Sequence, residues 1–133
     1  MPHHARGPFD VKLTPQTPQE NESAVPGRML LDKRFHGDLA ALSKGQMLAA
    51  RSPVDGSAGY VAMEHVTGVL NGRSGSFVLQ HSGTMARGER QLAVSVVPDT
   101  GTGELTGLAG TMGIEITDGK HFYDFTYTLP DQG

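Results

Sequence analysis

Turn-forming residues punctuate this chain at short, fairly even intervals, and that rhythm restricts its fold more than any other feature. The strong signals are Pro53 to Ser57, Asn71-Gly72, Pro98 to Gly103 and Asp118-Gly119, with weaker ones at Pro15 to Asn21 and Lys44-Gly45. Gly and Asn enter left-handed dihedrals at low cost and Pro presets its own φ, so each signal marks a place where the chain can reverse. The runs between them alternate with a period of two, clearest in Phe9, Val11, Leu13 and in Leu92, Val94, Val96. Alternation of this kind belongs to half-buried strands, and many short strands with regular turns belong to a sandwich or barrel. Leu39 to Arg51 is the ambiguous stretch: its Ala, Leu and Met also suit a short helix, and we take it as a strand. Pro15 to Pro26 is a polar loop.

Two hairpins can be registered from their turns. If Asn71-Gly72 is a two-residue type I′ turn, residue 70 faces 73, and one face collects Tyr60, Ala62, Glu64, Val66 and Gly68 against Gly75, Phe77, Leu79, His81 and Gly83. The other face holds Val61, Met63, His65 and Thr67 against Ser76, Val78, Gln80 and Ser82, and is the more polar one. Asp118-Gly119 likewise sets Met112, Ile114 and Ile116 against Phe125, Tyr123 and His121. One apolar, aromatic face per hairpin suits a closed barrel filled by side chains or a small ligand.

Composition narrows the rest. A chain of 133 residues forms one domain with one core, and its ends, 1–6 and 130–133, are expected to be loose. With 18 Gly and 8 Pro, a 37% apolar content reflects turns rather than disorder. The absence of Cys excludes disulfides, thiolate catalysis and thiolate metal sites, and fits a reducing compartment. No signal peptide or membrane-length apolar run is present, so a cytoplasmic, bacterial-type protein is expected. Net charge is -3 with scattered Lys and Arg, which gives no footprint for nucleic acid or a membrane surface.

GVLNGRSGSFVLQHSGT at Gly68 to Thr84, VVPDTGTGELTGLAG at Val96 to Gly110, KRFHGDL from Lys33 and GSAGYVAME from Gly56 together resemble the domain of unknown function 3224 family. The resemblance spans roughly residues 7 to 129. It implies a single closed antiparallel barrel of about eight strands, similar to the allene oxide cyclase and dirigent superfamily, whose members share a GTG loop, here Gly101, Thr102 and Gly103 followed by Gly107 and Gly110. The superfamily also implies a homo-oligomer. It carries no catalytic residues across, because plant cyclases use a lumen Cys and this chain has none. A phosphate-cradling role for the glycines fails, since the strand-like TMGIEI follows them and no P-loop Lys is present.

Glu64 and His81 form the sharpest constellation. They are diagonal neighbours on the apolar hairpin face, and a carboxylate beside an imidazole in an apolar cage makes a proton-transfer pair; the bland alternative is a buried tie between strands. Lys33 shares parity with Met29, Leu31 and Phe35; snorkelling of its head to the barrel mouth is preferred over neutralising Glu64. Tyr60, Phe77, Tyr123 and Phe125 are the candidate ligand-contacting aromatics, with plain core as their alternative. No metal is expected, because the six His show no ligand spacing, and no cofactor is implied. The function expected is binding of a small apolar or amphipathic metabolite in the lumen, over a polar floor of Glu64, His81 and Lys33, with a proton-transfer isomerase or cyclase step open to it. The competing expectation is a non-catalytic oligomeric module with a solid core.

Overall fold

The computed structural model describes residues 2–15 and 27–130, and these form a closed antiparallel barrel of eight strands in sequence order. The strands are β1 (His3–Pro15), β2 (Gly27–Phe35), β3 (Leu39–Arg51), β4 (Ala58–Leu70), β5 (Arg73–Ala86), β6 (Glu89–Val96), β7 (Ala109–Thr117) and β8 (Lys120–Thr128). A single short helical turn, Gly103–Leu105, interrupts the β6–β7 connection. Among the described residues no helix is long and apolar enough to cross a membrane.

Both turns used to set the registers behave as their chemistry demands. Asn71 and Gly72 have φ of 46° and 85°, and Asp118 and Gly119 have 52° and 77°, the paired left-handed dihedrals of a type I′ turn. Leu70 accordingly pairs with Arg73, and Ile114 with Tyr123. A third such turn, Arg87-Gly88, joins β5 to β6 with φ of 52° and 92°; the sequence pattern did not mark it, because Arg is not a turn former.

One local expectation is corrected: Lys44-Gly45 is no turn but the middle of β3. Leu39 to Arg51 is strand throughout, as expected, since ladders on both sides outweigh helix propensity. The N-terminal stretch expected to be loose is laddered from His3, which pairs with Tyr127 and closes the barrel through β1 and β8. Pro15 to Pro26 falls, apart from Pro15, outside the described residues.

The lumen is filled unevenly. At the end carrying the β4–β5 turn, Leu39, Leu70, Phe77, Phe125 and Tyr127 are buried, and Leu105 and Leu108 of the β6–β7 connection pack into the same cluster. That connection is latched along β5: the Ser76 amide donates to Thr102 Oγ1 at 3.1 Å, the Val78 amide to Thr100 Oγ1 at 3.1 Å, and the Ser74 amide to Glu104 Oε1 at 3.0 Å. At the opposite end, Leu13, Leu92 and Ile116 lie on the inward parity of their strands yet remain 45%, 43% and 52% exposed. Between β6 and β7 the ladder carries the single pair Ser95–Thr111. Among the described residues the barrel is therefore a cup, plugged at one end and with apolar side chains left exposed at the other.

Candidate functional site

Glu64 lies midway along β4, where the packed half meets the open half. Its position follows from the β4–β5 register: Leu79 stands opposite it, Ala62 stands opposite His81, and the two polar residues meet diagonally. On its other side Glu64 pairs with Gly45. A β-carbon at position 45 would sit 2.7 Å from Glu64 Cα and 2.8 Å from its Cβ, so glycine is what lets β3 press this closely against the carboxylate's strand.

Three side chains converge on the carboxylate. His81 Nε2 lies 2.5 Å from Glu64 Oε1, Lys33 Nζ donates to the same oxygen at 2.8 Å, and Ser43 Oγ donates to Oε2 at 2.5 Å. All four residues are buried, Glu64 to 1% exposure. Burial alone would raise the carboxyl's pKa, but the His81 hydrogen bond and the Lys33 charge outweigh it and hold Glu64 at about 2. The carboxylate is thus ionised at neutral pH, so His81 Nε2 must be the donor in their hydrogen bond. The Lys33 ammonium also lies 5.2 Å from the Phe9 ring centroid and 5.8 Å from that of Phe35, where the ring faces offset part of its lost hydration.

Lys33 therefore does not snorkel, contrary to the preferred expectation. Its strand places it beside Ser43, one step deeper than Glu64, and the buried carboxylate draws the ammonium inward where the mouth would have offered only water. Tyr60 stands one step nearer the mouth, with its ring centroid 6.3 Å from that of His81.

The other aromatic candidates stand apart from this group. Phe77 and Phe125 stack at 5.9 Å within the packed half. The Tyr123 hydroxyl accepts from the Leu39 amide at 2.8 Å and donates to the His36 carbonyl at 2.6 Å, which pins the β2–β3 turn. Ser43 was not singled out from sequence, although its parity with Leu39 and Ala41 carried the signal; the helix-like composition of β3 hid it. Among the described residues no three His, Cys, Asp or Glu side chains gather as a metal-holding group. A groove of about 490 Å³ lies on the outer surface over Arg6, Gly113, Phe122 and Asp124. It is open to solvent, does not reach Glu64, and is flanked by the exposed Arg6–Asp124 ion pair.

A search of curated proteins yields no match. The crystal structure of a protein of unknown function from the DUF3224 family of Shewanella oneidensis MR-1 is similar along nearly the whole chain, with 52% identity, a TM-score of 0.91, and coverage of 97% of this chain and 98% of that one. The family model described as "Protein of unknown function (DUF3224)" matches residues 5–127. That match takes in all four strands that build the Glu64 cluster, and the chain belongs to the DUF3224 family.

Proposed function

We propose that the barrel is a cup for a small, uncharged, largely apolar molecule, which enters at the open end and meets His81 with its polar group. The observation that carries this reading is the exposure of Leu13, Leu92 and Ile116 on the inward face, 43% or more each. Apolar side chains left exposed on the inward face of a barrel are a surface that a ligand can cover. An uncharged ligand suits the floor, because Lys33 and Glu64 already balance each other. Behind the ligand, the Glu64–His81 pair supplies a route for one proton, so the same site supports an isomerase- or cyclase-type step. Kinship with allene oxide cyclase and dirigent barrels is part of this reading. It is supported by the GTG loop, which here carries the helical turn that plugs the closed end.

The uncharged fluorophore N-phenyl-1-naphthylamine tests the cup directly. Its emission should rise on binding, and Leu92→Asp should weaken that binding at least tenfold with the thermal midpoint unchanged. Equal binding by the variant would refute the cup.

The alternative, a non-catalytic module, draws support from a different place. Leu30, Leu48, Val61 and Met63 are 39–52% exposed on the outer face of β2, β3 and β4, with Leu48 paired to Val61. In this second reading a second copy covers that face. Light scattering would then show a dimer that Met63→Lys converts to a monomer.

A further inference from the structure

Two polar groups of the cup have no protein partner among the described residues, and they are of opposite kinds. Neither the Tyr60 hydroxyl nor His81 Nδ1 makes a hydrogen bond among the described residues. No fully enclosed side-chain nitrogen or oxygen among those residues lacks a partner, so both groups retain contact with solvent-accessible space. They also share one inward face: Tyr60 pairs with Gly83, two residues along β5 from His81.

The Tyr60 ring is seated deliberately. A β-carbon at Gly83 would collide with Tyr60 Cε1 and stand 3.0 Å from Cδ1, so only glycine at 83 lets the ring lie across β5 beside the imidazole. Burial and the charge of Glu64 raise the hydroxyl's pKa above its ordinary value, which keeps it a protonated donor. His81 is oriented from the other side. With Nε2–H given to the ionised Glu64, a neutral imidazole presents its lone pair at Nδ1. The cup thus offers one neutral donor and one oriented base within an apolar wall, above a floor whose charges cancel.

Removing a proton from carbon next to a carbonyl needs that combination: a base for the hydrogen and a donor for the oxygen on which charge develops. We propose that the ligand is a neutral carbonyl compound and that the cup enolises it. This rests on the cup reading of the site and adds the ligand's chemical class and the part played by Tyr60. In the step, His81 Nδ1 takes the α-hydrogen as a proton, the C–H electron pair becomes the new C=C bond, and the carbonyl π pair moves onto oxygen, where the Tyr60 O–H bonds to it. The imidazolium formed is held by Glu64. It then returns the proton, to the same carbon as exchange or to a conjugated one as isomerisation, and no oxidant or reductant is consumed.

The test compares 2-tetralone, which has an enolisable carbonyl, with tetralin, which has the same body without one. Binding is followed by amide NMR, and exchange of the tetralone α-hydrogens in D2O by loss of their proton signal. Wild-type protein should bind both compounds and exchange tetralone at least tenfold faster than the same concentration of free imidazole. Tyr60→Phe should lower that rate about ten- to a hundredfold, and His81→Gln should return it to the buffer rate, with the dispersed amide spectrum of the folded barrel kept in both variants. Tetralin binding with no exchange above imidazole would overturn the enolisation while leaving the cup standing. Failure of both compounds to bind would overturn both. Full exchange in Tyr60→Phe, a substitution that removes only an unpartnered hydroxyl, would overturn the assignment of Tyr60.

Discussion

The two ends of this barrel come from the same alternating strands and finish in opposite ways. At one end Leu70, Phe77, Phe125 and Tyr127 fill the lumen, and Leu105 and Leu108 cap it. At the other, Leu13, Leu92 and Ile116 face inward and stay exposed. The β6–β7 connection folds a helical turn and carries the apolar Leu105 and Leu108 into the lumen. At the other end, the described connections, Ser52 to Ser57, Arg87-Gly88 and Asp118-Gly119, contribute no residue to the buried core. The same long connection satisfies the β5 amides at Ser74, Ser76 and Val78, while the β6–β7 ladder holds through one pair alone.

The largest expected effect tests the packed half. Phe77 is 1% exposed and stacked on Phe125, so Phe77→Ala should cost about 3–5 kcal/mol in chemical denaturation. A loss below about 1 kcal/mol would mean that this end is not packed as a core.

The boundary between the halves is tested by acid. The Glu64 carboxyl is held at about 2 against an ordinary value of 4.5, so its ionised form binds the folded state more strongly than the unfolded one. The stabilisation is full above about pH 4.5, erodes as pH falls, and is gone below about pH 2. On the order of 3 kcal/mol should be lost across that window. In Glu64→Gln the same stretch of the pH–stability curve should flatten; an unchanged acid slope would show that Glu64 is not the group responsible.

The smallest effect belongs to the open half. Ile116→Ser should change stability by less than about 0.5 kcal/mol, because a side chain 52% exposed contributes little buried area. A loss as large as that of Phe77→Ala would erase the contrast and show that the open end is closed in solution.

Much of the site was legible because hairpin register is local. Once Asn71-Gly72 is taken as a two-residue turn, the parity that puts Glu64 and His81 on one face follows from counting. Lys33 was on the correct face but its destination was misjudged, because parity says which side a side chain leaves from and nothing about how deep it ends. Ser43 was hidden by composition: Ala, Leu and Met around it fit helix as well as strand.

Alternation, turn chemistry and a two-residue side-chain period follow from the order of residues alone, and they determined an all-β chain with an apolar hairpin face bearing one carboxylate and one imidazole. Only the tertiary structure decided that His3 returns to pair with Tyr127, that Glu64 lies at mid-depth with Lys33 and Ser43 on it, and which end is plugged. Those features depend on contacts between residues far apart in sequence, which strand tilt and barrel closure set and which no local pattern encodes.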